Sequence, residues 1–182
     1  MKIIFSRKGF DAENGGVASP ILHDDRFCSL PIPSSVCKPT FHDIRFGRVN
    51  LGRIVEDLTS RKVGRIRKDK PTHLDPDLRR DAVRRVRGWL PAFGPGGAAQ
   101  TLLERHGVGV GDLFLFFGWF RKVDIKAGHY QYVRGAPNIH LLFGWLQVGE
   151  IYHSFLPEAR VPRWARHHPH IYRSHAKETC TR

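Results

Sequence analysis

The segment SRKGFD at residues 6–11 combines a hydroxyl, two cations, a glycine and a carboxylate. It follows a strand-like run at residues 3–5 and leads into a glycine-rich loop, a common place for a binding loop because flexible backbone meets a rigid support there. Arg7 and Lys8 suit a phosphate, and Asp11 suits an amine or a hydroxyl. From the spacing alone we favour a structural interpretation, in which Asp11 caps a turn and pairs with Arg7.

Two carboxylates, Asp75 and Asp77, stand two positions apart just after His73. Such a pair suits a divalent cation or general base catalysis. Asp75 followed by Pro76 is also typical of a helix start, because aspartate is a good N-cap and proline fits the first helical position. We interpret Asp75 as a cap and leave Asp77 open between a first-turn charge and a site residue.

Aromatic residues form a third candidate. Asp112 stands directly before the run LFLFF, and Trp119 and Trp145 fall at the ends of predicted strands. Rings placed in this way suit a pocket that stacks a flipped or single-stranded base, although most large rings in β-rich domains belong to the core. Of the two tryptophans, we expect Trp119, which Arg121 follows closely, to reach solvent.

The densest cluster of potential metal ligands lies near the C-terminus and consists of His167, His168, His170 and His175. No predicted helix or strand underlies it and no HExxH pattern is present, so we interpret residues 157–182 as a basic tail that is extended or partly disordered.

The three cysteines, Cys28, Cys37 and Cys180, are too few and too scattered for a disulfide framework. A zinc site of Cys28, Cys37 and His42 lacks the close paired spacing of structural zinc ligands, so we predict free thiols. No pattern identifies a cofactor, and the metal requirement stays open.

The chain has 30 Lys and Arg against 17 Asp and Glu in 182 residues, a net charge of +13 that favours a polyanionic partner. Residues 61–87 hold eleven of the cations and four aspartates, a net of +7. A solvated helix face is the alternative to a binding surface here. We predict nucleic-acid contacts from Arg79, Arg80, Arg84, Arg87, Trp119 and Arg121.

Residue periodicity predicts the elements that must position these side chains. Helices are predicted at residues 50–58, 76–89 and 98–106, the last after a plain glycine-rich turn at residues 94–97. Strands are predicted at residues 2–6 and 27–32, and an aromatic sheet between residues 113 and 152 that also takes in the N-terminal strand.

The predicted fold is α+β, with a mixed or antiparallel sheet, or a partly open barrel, and a few helices in the middle third. One domain is predicted at residues 1–156, with the tail at residues 157–182 as a possible start of a further part. Because no signal peptide or membrane-spanning run is evident, we predict a soluble, cytoplasmic protein without a membrane partner.

Several ordered motifs together resemble the nucleotide modification associated domain 3 family of bacteria and bacteriophages. They are SRKGFD, GGVASPI, SLPIP, HLDPDL, GVGVGDLFLFFGWFR, HLLFGWLQVGEI and HPH, and they extend from residue 1 to about residue 171. The resemblance implies a role in hypermodification of DNA bases, alongside other DNA-modification enzymes, with DNA or a nucleotide as partner. It also implies that a family member continues with more strands after the position of His170, so that truncation or a frameshift of this chain is an open alternative.

The motif residues that carry over from the resemblance are Ser6, Arg7, Lys8, Asp11, Asp75, Asp77, Asp112, Trp119, Trp145, Gln147, His168 and His170. The first hypothesis is an enzyme in which Asp11 or Asp77 is the general base and Arg7 or Lys8 stabilises developing negative charge. The second is a non-catalytic reader of modified bases, similar to the small β-barrels of the PUA and EVE-like type.

Overall fold

The computed structural model describes residues 1–60, 64–152, 161–166 and 168–171. Within them the strands are Ile3–Arg7 (β1), Ser19–Ile21 (β2), Ile32–Pro33 (β3), Arg45–Phe46 (β4), Val49–Asn50 (β5), Thr72–His73 (β6), Leu113–Lys126 (β7), His129–Tyr132 (β8) and Ile139–Gln147 (β9). The helices are Leu51–Thr59 (α1), Ala98–Arg105 (α2) and a 3-10 turn at Phe41–Asp43. Among these described helices, none is long and apolar enough to cross a membrane.

The long strand β7 organises the main sheet. β1 and β2 pair with it in parallel along one edge, and β8 and β9 pair with it antiparallel along the other. Because side chains alternate along a strand, Phe114, Phe116 and Phe120 are buried on one face of β7. The α+β fold and the inclusion of the N-terminal strand in this sheet are confirmed, and the described strands form no closed barrel.

The helix predicted at residues 50–58 is confirmed as α1. Its first turn is capped by Asn50, whose side-chain oxygen accepts a hydrogen bond from Arg53 N at 3.4 Å. Ile54 and Val55 are fully buried in the largest hydrophobic cluster, which also includes Tyr130 of β8. This packing fixes α1 against the far end of β7.

The helix predicted at residues 98–106 is confirmed as α2, and its two leucines have different surroundings. Leu103 packs against the cluster around Phe114, whereas Leu102 is 55% exposed. No α2 residue is fully buried, so the helix lies on the surface.

The helix predicted at residues 76–89 is wrong. The backbones of Asp77 and Ala92 exchange two hydrogen bonds, at 2.8 and 2.9 Å, which close the segment into a loop. Arg85 then donates two hydrogen bonds to the Asp77 carboxylate, at 2.6 and 2.5 Å. Residues eight positions apart in a helix are separated by about 12 Å along its axis, so this ion pair is incompatible with a helix. Asp75 therefore caps no helix.

The strand predicted at residues 27–32 is also wrong, apart from Ile32, which begins β3. Phe27 makes only an isolated bridge to Ile21. Strand β2, which contains Ile21, lies instead at the end of the segment predicted as a glycine-rich loop. It gains its hydrogen bonds from β7, a partner about a hundred residues away that local propensity cannot reveal.

We expect Arg85→Ala to lower the free energy of unfolding by about 3 kcal/mol, because it leaves the Asp77 carboxylate buried without a counter-charge. The matched control is Arg84→Ala, since Arg84 is exposed next to it, and it should change stability by less than about 0.5 kcal/mol. Urea unfolding of both variants measures the difference. Equal, small effects would show that the ion pair does not hold this loop.

Candidate functional site

The candidate site is centred on the carboxylate of Asp75, whose side chain is only 1% exposed. The backbone N–H of Gly94 donates to Oδ1 at 2.8 Å, and the Lys8 ammonium donates to Oδ2 at 3.1 Å. A buried charge needs such partners, because it has lost its hydration. Asp75 thus joins the N-terminal segment to the loop that follows residue 92.

Two histidines from the C-terminal segment complete the surroundings of this carboxylate. His168 Nε2 lies 3.4 Å from Asp75 Oδ1, and His170 Nε2 lies 3.6 Å from Oδ2. His168 is buried, and its Nε2 has no hydrogen-bond partner within residues 1–60, 64–152, 161–166 and 168–171. Residues 161–166 and 168–171 also bury Val161 and Ile171, so this part of the predicted tail is packed; the domain boundary at residue 156 stays a prediction.

A third histidine, His73 at the end of β6, extends the cluster. Its Nε2 lies 3.1 Å from His170 Nε2, and its Nδ1 lies 3.2 Å from the sulfur of Cys37. Cys28 and Cys37 are free, as predicted, and both are buried, whereas Cys180, His167 and His175 lie outside the described residues. Ligand atoms of His73, Asp75 and His170 all lie within 4.8 Å of one another, so these residues could hold a metal ion.

Local structure explains why these side chains meet. Lys8 continues β1 with a hydrogen bond from its N–H to Phe117 O at 2.8 Å, and its ammonium lies 4.4 Å from the centre of the Phe93 ring. The next residue, Gly94, lies against His170, and a Cβ there would come within 2.6 Å of the imidazole. The glycine-rich loop, which the sequence predicts to be a plain turn, therefore packs against the His170 ring.

Burial and the neighbouring groups change the pKa of Asp75 in opposite directions. Burial of its carboxyl would raise the pKa, but the contacts with His168 and His170 and the positive charge of Lys8 outweigh this effect. The pKa of Asp75 is therefore well below its usual range, and the group is a carboxylate at neutral pH.

Asp75 also belongs to the wall of a cavity of about 440 Å³. Three arginines line this cavity: Arg26, Arg45 and Arg79. The guanidinium groups of Arg79 and Arg26 lie 4.2 and 5.3 Å from the centre of the Phe46 ring, so this aromatic ring supports both cations. Three aspartates, Asp25, Asp75 and Asp77, line the cavity as well, so its wall carries charges of both signs beside aromatic rings.

The structure separates the residues of the opening motif. Lys8 reaches Asp75, whereas Arg7 is exposed at the end of β1 and Ser6 is half-buried within it. Asp11 Oδ1 accepts hydrogen bonds from Glu13 N at 2.9 Å and from Asn14 N at 2.6 Å. Asp11 thus closes a turn, as the structural interpretation has it.

Asp77 and Asp112 also make structural contacts. Asp77 lines the cavity but is held by Arg85. Asp112 accepts hydrogen bonds from Lys2 N at 2.7 Å and from Gly109 N at 3.0 Å, which fastens the N-terminus beside the start of β7.

The two tryptophans do not share a pocket. Trp119 pairs with His140, whereas Trp145 pairs with Leu115, and both lie on the face of β7 opposite its buried phenylalanines. Four residues along a strand separate the two positions by about 13 Å. Trp145 is 67% exposed and Trp119 is half-buried, so the expectation that Trp119 is the solvent-reaching ring is wrong.

The other candidates on this part of the sheet are engaged with backbone. Arg121 donates to Val133 O at 3.3 Å, and Gln147 donates to Gly111 O at 3.2 Å.

Sequence reasoning missed the parts of the site that depend on long-range contacts. The sequence indicates His73 only as a neighbour of the two aspartates, and Cys37 only together with Cys28 and His42. No pattern in it points to Arg26 or Arg45. The one usable signal is the concentration of His and Asp in HLDPD together with HPH, whose members lie about 95 residues apart.

These features define an α+β protein in which a buried carboxylate, an ammonium group and several imidazoles adjoin a cavity lined by arginines, aspartates and aromatic rings. Residues 2–181 match the model of the family described as nucleotide modification associated domain 3, and the chain belongs to this family. The comparison with curated proteins found no match, and neither did the comparison with solved structures. Family membership associates the protein with nucleotide modification.

We expect Gly94→Ala to lower the thermal unfolding midpoint, because the new methyl group overlaps the His170 ring and such overpacking costs about 1–3 kcal/mol. Gly149→Ala is the control, since a Cβ at Gly149 meets no atom within 4 Å. Differential scanning calorimetry of both variants tests this. An unchanged midpoint for Gly94→Ala would mean that the loop does not pack closely against His170.

Proposed function

We propose that this protein binds a nucleotide, or a nucleotide unit of DNA, in the cavity beside Asp75 and takes part in modifying its base. The observation that carries the proposal is that the wall of this cavity contains both three arginines and the carboxylate of the buried cluster. Family membership supplies the coarser association with nucleotide modification.

The cavity has the chemistry of a site for an anionic aromatic ligand. Its volume, about 440 Å³, falls in the range of small-molecule sites. Arg45 is exposed in the wall and makes no ion pair within the described part of the chain, so it is available to a phosphate. Phe27 and Phe143 supply ring faces for a base.

The cluster supplies a polar wall for the reacting group. The Asp75 carboxylate can accept a hydrogen bond from an exocyclic amine, while Lys8 and His170 hold it in place from behind. In this arrangement Asp75, and not Asp11 or Asp77, is the carboxylate at the site, as a hydrogen-bond acceptor and not as the general base, because a carboxylate of low pKa is a weak base. Asp11 and Asp77 are already occupied by a turn and by Arg85.

The alternative function is a non-catalytic reader of modified bases. Its supporting observation is a row across β1, β7 and β9 in which Phe5 and Trp145 are exposed on either side of the half-buried Leu115. We favour the first function, because this row lies on an open sheet face, whereas a base reader encloses its base between facing walls.

Nucleotide binding is tested by titrating the full chain with deoxynucleoside monophosphates in a calorimeter. We expect saturable binding that weakens about 10-fold in Arg45→Ala, because one charge-assisted contact is worth roughly 1.5 kcal/mol. Arg48→Ala is the control, since Arg48 is exposed on the same hairpin but outside the cavity. No saturable binding, or equal loss in both variants, would overturn the assignment of the cavity.

A role in modification is tested in cells by mass spectrometry of DNA nucleosides, with the gene intact, deleted or carrying Asp75→Asn. The expected result is that one modified nucleoside depends on the intact gene and is lost in the variant. An identical nucleoside profile in all three strains would contradict the proposal.

DNA engagement through the basic segment is a separate expectation. Arg80, Arg84 and Arg87 are exposed and make no ion pair in the described residues. Replacing these three with glutamine should weaken binding to duplex DNA and make the plot of log affinity against log salt shallower by about 2.7. The control of equal charge replaces Arg105, Lys126 and Arg134, which are exposed elsewhere. Equal losses in both triple variants would show that only net charge matters.

A further inference from the structure

We infer that His73, Asp75 and His170 bind one divalent transition-metal ion. The inference goes beyond the proposed nucleotide site and does not require nucleotide binding, although Asp75 belongs to both. It rests on the spacing of the ligand atoms, on the groups that orient the two imidazoles, and on a buried nitrogen without a hydrogen bond in the part of the chain that the structure describes.

Two of the spacings between ligand atoms are compatible with a coordination sphere. Bonds of 2.0–2.1 Å to one ion place neighbouring ligand atoms about 3.0 Å apart in octahedral geometry and about 3.3 Å apart in tetrahedral geometry. The Nε2 atoms of His73 and His170 lie 3.1 Å apart, and His170 Nε2 lies 3.6 Å from Asp75 Oδ2. The second distance is too long for a hydrogen bond, and both are within a few tenths of an ångström of the coordination values.

The two imidazoles are held from behind, as metal ligands generally are. The Nδ1 of His73 contacts the Cys37 sulfur at 3.2 Å, which leaves Nε2 directed at the cluster. The ring of His170 is packed against Gly94 and Gly96, where an added Cβ would come within 2.6 and 3.2 Å of it. The Nε2 atoms of His73 and His170 therefore lie close together, and these contacts restrain the rotation of both rings.

The carboxylate has capacity for a metal in addition to its present partners. Each oxygen of Asp75 offers two acceptor positions. Gly94 N uses one position on Oδ1 and Lys8 uses one on Oδ2, which leaves a position on each oxygen. The partners that fix the carboxylate are thus compatible with coordination.

His168 supplies an independent observation that points to a ligand here. Its side chain is only 7% exposed, and its Nε2, 3.4 Å from Asp75 Oδ1, has no hydrogen-bond partner among the described residues. Buried polar atoms without a partner are rare and costly. A metal ion, or a water molecule on that ion, would give this nitrogen a partner.

The ligand set indicates the class of metal. Two imidazoles and one carboxylate suit zinc and the divalent ions of iron, cobalt, nickel and manganese, and three protein ligands leave coordination positions open. Open positions beside the cavity wall are what a metal that takes part in chemistry needs.

The test uses the full chain, stripped with a chelator and titrated with Co²⁺, whose visible absorption reports coordination by nitrogen and oxygen ligands. We expect one Co²⁺ per chain, without a thiolate charge-transfer band because Cys37 contacts only the far nitrogen of His73. Zn²⁺ should displace it, bind at one equivalent by elemental analysis and raise the thermal midpoint. No stoichiometric binding of either ion would overturn the inference.

The ligands are tested with His73→Gln and His170→Gln, each of which should weaken Co²⁺ binding more than about 100-fold, beyond the effect of losing an outer partner. The control is His140→Gln, an exposed histidine on β9, which should bind as the original chain does. Far-ultraviolet circular dichroism identifies the variants that are folded. A further variant, His168→Gln, should still bind the ion, with a smaller loss of Co²⁺ affinity than His73→Gln or His170→Gln. Stoichiometric binding in folded His73→Gln and His170→Gln would overturn the assignment. Nucleotide titration of the Zn²⁺-bound and stripped chains separates a failure here from a failure of the proposed function.

Discussion

Burial of the Asp75 charge is the constraint on which the arrangement of this protein depends. An unpaired carboxylate in that position would cost several kcal/mol, so the fold must bring donors and positive charge to it. These come from three distant parts of the chain: Lys8 near the beginning, Gly94 in the middle, and His168 and His170 towards the end. One carboxylate thereby connects segments that share no strand pairing with one another.

The sheet provides the rigid support for that convergence. Phe114 and Phe116 on the buried face of β7 pack against Phe93, with ring centres 4.9 and 5.1 Å apart. Phe93 in turn lies beneath the ammonium group of Lys8 and directly precedes Gly94. The same aromatic contacts that stabilise the core therefore determine where two partners of Asp75 lie.

Asp11, Asp75 and Asp77 are all candidate site residues in the sequence, but they have three different roles in the structure. Asp11 accepts hydrogen bonds in a turn, Asp77 is neutralised by Arg85, and Asp75 is surrounded by an ammonium and imidazoles. Asp75 and Asp77 are only two residues apart, yet their side chains have different partners. Such roles depend on which side chains arrive from elsewhere, and neither residue type nor spacing predicts them.

The sequence by itself determined the fold class, the N-terminal strand, the aromatic strands after residue 113, the helices α1 and α2 and the family. Hydrophobic periodicity and ordered motifs are local properties, so they can be read without the structure. Only the tertiary structure decided that residues 76–89 form a loop, since the Asp77–Arg85 ion pair and the bridge to Ala92 outweigh helix propensity there. It also decided the site. His73 and His170 are 97 positions apart and meet because strand pairing, packing and the burial of one charge act together over the whole chain.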